Sequence, residues 1–491
     1  MPTLTSRPAR ALAAAVVVVG SAVRFEQFLT RRSLWLDEAM LANNIVGRGY
    51  GELLEKLDND QAAPPGFLWI ERLSTQLFGQ NEYALRAVPL LAGVAVLPLL
   101  WWLARRHLGD VAAAGAVTFL ALTPAAIRYS TEVKQYSSDA FVVLAVVACA
   151  CVAAEELTRR RVAVFAVTAS VALWLSHPAW FAVAVAGVML ALTASRTGRI
   201  RALIVAGVPI AASAVVAYAV NLREARANDA LDSYWATGFP SESASVFGAI
   251  RWIPGAAWRA LDQPGGVGQR WLALLLIIAG VVAFRRRGWR LGVALGGVVA
   301  LTLLAGAVRL FPVRGRLVLF LVPLLAIALS AALAHSWLRW LAGLGLVILL
   351  VGPAGDMVDV ARHPPALVEG RQAIEFVARH RRPGDLVFVH STAVPSFDFY
   401  AERLGLRRDG VVGPVGAPAS CRPTEKRRAG RAWLVFAYTL STRPADEEAR
   451  VGAWFGEGAS PRRAFRGEDA SARLYELTAE PWPAAGCWMV S

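Results

Sequence analysis

The sequence predicts an all-α polytopic membrane domain followed by a small extracytoplasmic α/β domain. An apolar composition, recurrent apolar stretches and a change of pattern near residue 354 predict it. Of the 491 residues 56% are hydrophobic and 18% charged, and the mean hydropathy is +0.46, which excludes an ordinary soluble domain. Apolar stretches close to the length that crosses a bilayer as helix, about 20 residues, lie at roughly 9–27, 83–104, 109–128, 137–157, 162–177, 179–195, 200–220, 271–284, 291–310, 316–334 and 337–353. The first has Arg7 and Arg10 ahead of Val16 to Val19, as a signal peptide would. No small-x-small motif leads into a mature start, so it reads as a retained helix.

Charge placement sets the orientation. Arginine-rich short connections occur at Arg105-Arg106, Arg159 to Arg161, Arg196 to Arg201, Arg285 to Arg287 with Arg290, and Arg339. With eleven crossings and the N-terminus inside, all of these fall on the cytoplasmic face, as the positive-inside rule requires. The expected transmembrane domain is therefore 1–353, with outer loops 28–82, 128–136 and 221–270, in a multi-pass cell (inner) membrane. The net charge of +15 is accounted for by topology and anionic lipid, and no nucleic-acid motif accompanies it. Lysine stands only at positions 56, 134 and 426.

Residues 354–491 form the expected α/β domain. A helix-like run at 366–380 ends at Arg381-Arg382-Pro383-Gly384, and a β-like run Leu386 to Val389 follows. An amphipathic segment near 394–404, a strand at 433–436, a helix at about 444–455 and a strand at 472–475 complete the alternation. Neither a phosphate-binding glycine loop nor a nucleophile elbow is present, so the chemistry is expected elsewhere. Cys149 and Cys151 sit in an apolar helix as packing residues. Cys421 and Cys487 share an oxidising compartment, so a disulfide between them is one alternative.

Polar groups gather in the outer loops. Asp37 and Glu38 stand in Ser33-Leu34-Trp35-Leu36-Asp37-Glu38-Ala39, just past the first apolar stretch; Gln61 precedes Pro64-Pro65-Gly66. Arg128-Tyr129-Ser130-Thr131-Glu132-Val133-Lys134-Gln135-Tyr136 forms the second loop, His177-Pro178 the next outer turn, and Arg314 and Arg316 follow Phe311-Pro312. Carboxylates facing cations suit an electrophile with a phosphate leaving group. A carboxylate accepts a proton from an attacking hydroxyl, and guanidinium or ammonium groups receive the departing phosphate. At a membrane surface that phosphate belongs on a lipid. Structural readings compete: Asp37-Glu38 as the acidic first turn of an interfacial helix, Glu132 and Lys134 as a solvated pair, His177 as a helix-end residue, and Arg314 and Arg316 as headgroup anchors.

Trp35-Leu36-Asp37-Glu38-Ala39, Pro64-Pro65-Gly66-Phe67, Leu85-Arg86-Ala87-Val88-Pro89 and Arg128-Tyr129-Ser130-x-Glu132-x-Lys134-x-Tyr136 together resemble the GT-C membrane glycosyltransferases. The nearest branches are the bacterial enzymes related to protein O-mannosyltransferases, the aminoarabinose transferases and the Rgt-type transferases. The resemblance covers about residues 10–350. It implies transfer of a sugar, with inversion, from a polyprenyl-phosphate donor to a hydroxyl acceptor that is a glycan, lipid or protein. It assigns the catalytic acid residue of the first outer loop to Asp37, with Glu38 assisting. Glu132, Lys134 and Tyr136 are expected to line the donor pocket, with Arg128, Gln61, His177, Arg314 and Arg316 as further binding residues. Where a divalent metal (Mg or Mn) is used, Asp37, Glu38 and Glu132 are its candidate ligands; no cofactor is otherwise implied. A histidine often found before the paired prolines is replaced by Ala62-Ala63. The alternatives are a flippase or transporter of lipid-linked sugars, against which stand nearly charge-free helix interiors and the absence of duplicated halves, and a non-catalytic anchor for the tail.

Overall fold

The computed structural model describes residues 6–222, 229–362, 369–412, 430–437, 461–467 and 469–477. The chain divides into two compact units, one of Met1–Thr30 with Arg48–His363, the other of Arg31–Gly47 with Pro364–Ser491.

The first unit is a helical membrane bundle. Its helices are α1 (Arg7–Leu29), α3 (Pro65–Phe78), α4 (Glu82–Leu108), α5 (Asp110–Leu122), α6 (Pro124–Arg128), α7 (Tyr136–Glu155), α8 (Arg159–Leu175), α9 (Ala179–Thr197) and α10 (Ile200–Ala217). They continue with α11 (Asp229–Tyr234), α12 (Val246–Asp262), α13 (Arg270–Arg287), α14 (Trp289–Ala307), a 3₁₀ stretch Gly315–Leu321 running into α15 (Val322–Ser330), and α16 (Arg339–Arg362). Helix occupies each of the eleven stretches expected from the sequence. Among the described residues eight helices are by themselves long and apolar enough to cross a membrane, or nine if α5 and the segment after it form one bent span. Of the remaining two places, α8 is short at 17 residues, and α13 carries Arg270 at its start and three arginines at its end.

The bent span turns by 66° between Leu122 and Pro124. Proline removes a helical N–H and disfavours helical backbone in the residue before it, and Thr123 is extended (φ −68°, ψ 116°). The bend delivers Arg128 and the following turn, Tyr129–Thr131, to one end of the bundle. At the opposite ends of α4, α5 and α7 arginines pair with acids: Arg105 Nε lies 2.8 Å from Asp110 Oδ1, and Arg106 pairs with Glu155. The bundle core is built from the alanine-rich faces of α5 and α7, where small side chains let helices approach closely. Helix α3 turns apolar side chains outward: Leu73, Leu77 and Phe78 are exposed, while Glu71, Ser74 and Thr75 are buried with Phe67 and Leu68. Cys149 and Cys151 are free thiols in α7.

The second unit holds α2 (Leu36–Gly47), α17 (Gly370–His380), α18 (Val394–Ala401) and a five-stranded sheet. The strands β1 (Leu386–His390), β2 (Gly410–Val412), β3 (Gly430–Ala437), β4 (Arg463–Arg466) and β5 (Ala470–Leu477) lie in the order β2-β1-β3-β5-β4. β1 is parallel to β2 and β3, with Val387 opposite Trp433; β5 runs antiparallel to β3 and β4. Asp385 anchors the start of β1, its Oδ2 accepting from the Arg382 backbone N–H at 3.0 Å, Arg431 at 3.0 Å and Trp433 Nε1 at 3.1 Å. The expected α/β alternation is present, with two short strands, β2 and β4, added. The expected helix at 444–455, Cys421 and Cys487 lie outside the described residues. Residues 31–47, expected within the first outer loop, pack within this second unit.

Candidate active site

The expected site residues fall in both units. In the second, Trp35 caps α2, since the Ala39 N–H donates to the Trp35 carbonyl at 2.8 Å. Glu38 is fully buried, and one of its oxygens accepts from the Trp35 backbone N–H at 3.2 Å. That is the reciprocal half of a capping box, which satisfies a donor the helix start leaves without an intrahelical partner. Asp37 is half-buried. The two carboxylates, adjacent in sequence, therefore differ: Glu38 holds the helix start, and Asp37 is the more accessible.

In the first unit the 128–136 loop forms a compact polar group. Lys134 is buried, and its Nζ donates to Gln61 Oε1 at 2.6 Å. Arg128 Nε donates to the buried Glu132 Oε1 at 2.8 Å, one helical turn apart. The Lys134 N–H donates to the Glu132 carbonyl at 2.7 Å, which ties the two side chains to one tight turn. Gln135 Nε2 reaches the Ala62 carbonyl at 3.4 Å, so the segment before Pro64 lies along the loop. Tyr136 packs edge-on to Tyr129, 5.4 Å between centroids. The Arg316 guanidinium sits 5.6 Å from the Tyr136 ring and 5.4 Å from the Trp235 ring, within cation–π range. It is also near enough to Arg128 to repel it. Arg128, Lys134 and Arg316 thus stand around Glu132, and three cations so grouped suit an oxyanion.

Two expected residues stand differently from this group. Arg314 is exposed, and its Cβ lies against Gly238, whose carbonyl accepts from the Val313 N–H at 2.9 Å; Arg316 is the arginine of that turn that meets Tyr136. His177 occupies the α8–α9 turn, where its carbonyl accepts from the Trp180 N–H at 3.2 Å. The preceding Ser176 is buried and bonds the Asp139 carboxyl.

Three contributors were missed by sequence reasoning. Gly93 in α4 lets the Tyr129–Thr131 turn rest against the helix, because a Cβ there would collide with Ser130 Cβ and stand 2.8 Å from Ser137 Oγ. Trp235 supplies the second face over Arg316; its only signal was the aromatic pair Tyr234-Trp235 between two apolar stretches. Glu71 in α3 is fully buried with neither oxygen hydrogen-bonded, and burial raises its pKa well above the usual carboxylate range. Beside Gly66 an apolar cavity of about 390 Å³ is lined by Tyr50, Trp69, Ile70, Leu73, Val171 and Trp174, with the two tryptophans stacked at 5.8 Å.

Among the described residues no group of three or more His, Cys, Asp or Glu side chains is placed to hold a metal ion. Of the trio expected to bind one, Glu38 is engaged in the cap and Glu132 in the pair with Arg128. With two of the three so engaged, Asp37, Glu38 and Glu132 do not fit a metal centre.

Comparison with known proteins agrees with this architecture. Residues 62–222 match the family described as dolichyl-phosphate-mannose-protein mannosyltransferase. ArnT from Cupriavidus metallidurans, solved bound to undecaprenyl phosphate, is similar over 94% of this chain and 97% of its own, at 14% identity and a TM-score of 0.60. The chain shares the fold of this ArnT structure. The apo structure of the same ArnT gives 15% identity, the same coverage and a TM-score of 0.55. No curated protein sequence gives a significant match. The family match begins at Ala62 and includes the whole 128–136 loop, so Arg128, Glu132 and Lys134 lie in the matched segment, whereas Gln61 and Arg316 lie outside it.

Proposed function

We propose that this protein is a glycosyltransferase that moves a sugar from a polyprenyl-phosphate donor to a hydroxyl acceptor, with inversion, on the extracytoplasmic face of the cell membrane. The observation that carries the reading is the cationic group of Lys134, Arg128 and Arg316, held by Gln61, Glu132 and Tyr136, in a fold whose relative was solved with undecaprenyl phosphate. Asp37 accepts the proton of the acceptor hydroxyl, whose oxygen attacks C1 of the donor sugar from the face opposite the phosphate. The C1–O bond to phosphate breaks, its electron pair leaves with the lipid phosphate, and Lys134 and Arg316 receive that charge as it develops. The assignment of Asp37 rests on its place after α1, on the resemblance in its motif and on its exposure relative to Glu38. The Trp69–Trp174 cavity offers an apolar surface for an isoprenoid chain.

Eleven crossings with the N-terminus inside put every arginine-rich short connection in the cytoplasm, which supports the orientation. No step above is routed through a Mg or Mn ion. The test is the purified protein in lipid, supplied with polyprenyl-phosphate sugars of several kinds and a mixed envelope-glycan acceptor, with and without a chelator. Loss of donor with release of polyprenyl phosphate supports transfer. Intact donor that only changes leaflet supports a flippase and ends the proposal.

A further inference from the structure

The segment that carries Asp37 is fastened by residues far away in sequence. The Leu34 N–H donates to Tyr400 Oη at 2.9 Å, across 366 positions. Ser396 Oγ donates to the Leu34 carbonyl at 3.4 Å, so both backbone groups of one buried residue are held by α18. Ser33 Oγ donates to Gln372 Oε1 at 2.8 Å and accepts from the Arg371 N–H at 3.2 Å, which adds α17. At the other end of α2, Asn43 Nδ2 donates to the Pro395 carbonyl at 2.9 Å. Leu34, Ser396 and Tyr400 are all buried.

Between this anchor and the carboxylate the chain has little freedom. Trp35 is fixed on both sides, its N–H by Glu38 and its carbonyl by the Ala39 N–H, and Asp37 lies within the first turn that follows. A carboxylate used as a base is effective only when held in its productive geometry. A rotation at Leu34 is transmitted directly to Asp37.

We propose that Tyr400, backed by Ser396, is a positioning residue for Asp37, and that the α/β unit serves to fix the segment bearing the base. The inference rests on the role given to Asp37 above. Tyr400 acts through the backbone of Leu34 and touches no reacting atom.

The test compares Tyr400→Phe with Asp385→Asn in the full-length protein in lipid, measuring kcat, donor KM and Tm. Tyr400→Phe keeps the ring in its packing against Phe399 and removes the hydrogen bond to the Leu34 N–H. If that bond holds the transition-state geometry, kcat falls by about tenfold, the equivalent of one net hydrogen bond, with donor KM and Tm unchanged. Asp385→Asn weakens the start of β1 without touching Leu34, so Tm falls and kcat holds at temperatures below the transition. Tyr400→Phe combined with Ser396→Ala deepens the loss of kcat.

Wild-type kcat in Tyr400→Phe, with Asp37→Asn inactive, overturns this inference and leaves the role of Asp37 standing. Loss of kcat in Asp385→Asn equal to that in Tyr400→Phe also overturns it, since general loosening of the unit would then explain both. Full activity of Asp37→Asn removes the reading on which it rests.

Discussion

Replacing Gly93 with alanine probes how tightly the 128–136 loop is seated. A Cβ at position 93 would collide with Ser130 Cβ and stand 2.8 Å from Ser137 Oγ, whereas comfortable contacts between carbon atoms lie near 3.5–4.0 Å. The turn has little room to yield: Ser130 is fully buried and its Oγ donates to the Ile127 carbonyl at 2.6 Å. Relief therefore comes from shifting Tyr129–Thr131 away from α4, at a cost of about 1–3 kcal/mol as for other overpacked cores. The shift passes to Glu132 and Lys134, which follow in the same turn, and a displacement near 1 Å in a reactive constellation costs on the order of 10²-fold in rate. The assay is donor consumption by purified protein in lipid, with Tm measured on the same sample. Gly187→Ala in α9 is the control, because nothing lies within 4 Å of a Cβ there; alanine should leave the rate unchanged and Tm equal or slightly higher. A Gly93→Ala variant with wild-type turnover and Tm would refute the argument that close α4 packing seats the cationic loop.

Lys134→Met should raise donor KM and lower kcat together, by at least tenfold, because the buried ammonium would be gone. Gln61→Leu should give a smaller loss of the same kind, since only the partner that holds Lys134 Nζ is removed; equal donor kinetics in both variants and wild type would contradict the phosphate role. For Glu71 the sign follows from burial. Its pKa is raised in the folded state, so the stability it permits is complete below the ordinary carboxylate pKa. That stability is lost as pH rises toward the folded value, at about 1.4 kcal/mol for each pH unit between the two. Glu71→Gln should therefore have a higher Tm than wild type at pH 8, the gap closing toward pH 5; a pH-independent difference would contradict this account. Asp58→Cys, in a Cys-depleted background, should react with a membrane-impermeant maleimide added to intact cells, and protection there would reverse the proposed orientation.

The membrane architecture was legible because each helix writes its own signal. Apolar length and flanking arginines are local properties, and helix stands at every one of the eleven expected stretches. The bend after α5 has a local signal in Thr123-Pro124, which reading 109–128 as one stretch passed over. What the sequence hid depends on distant partners. Nothing near residues 31–47 announces Tyr400, Ser396 or Gln372, so a segment that reads as membrane loop packs instead within the α/β unit. Arg314 and Arg316 are equivalent on spacing, and only the positions of Tyr136 and Trp235 separate them. The acidic pair was visible, but the difference in its two roles was not: Glu38 closes a cap with Trp35 while Asp37 is left more accessible. The short strands β2 and β4 went unseen because a three-residue run and Arg-Ala-Phe-Arg carry no alternation to detect.

The central claim is that the side chain at position 37 takes the acceptor's proton. Single-turnover transfer by Asp37→Asn, in lipid with saturating donor, tests it most directly. Transfer should fall by at least 10³-fold, in keeping with the loss of a general base, while donor binding and Tm stay at wild-type values. Transfer at the wild-type rate would contradict the claim.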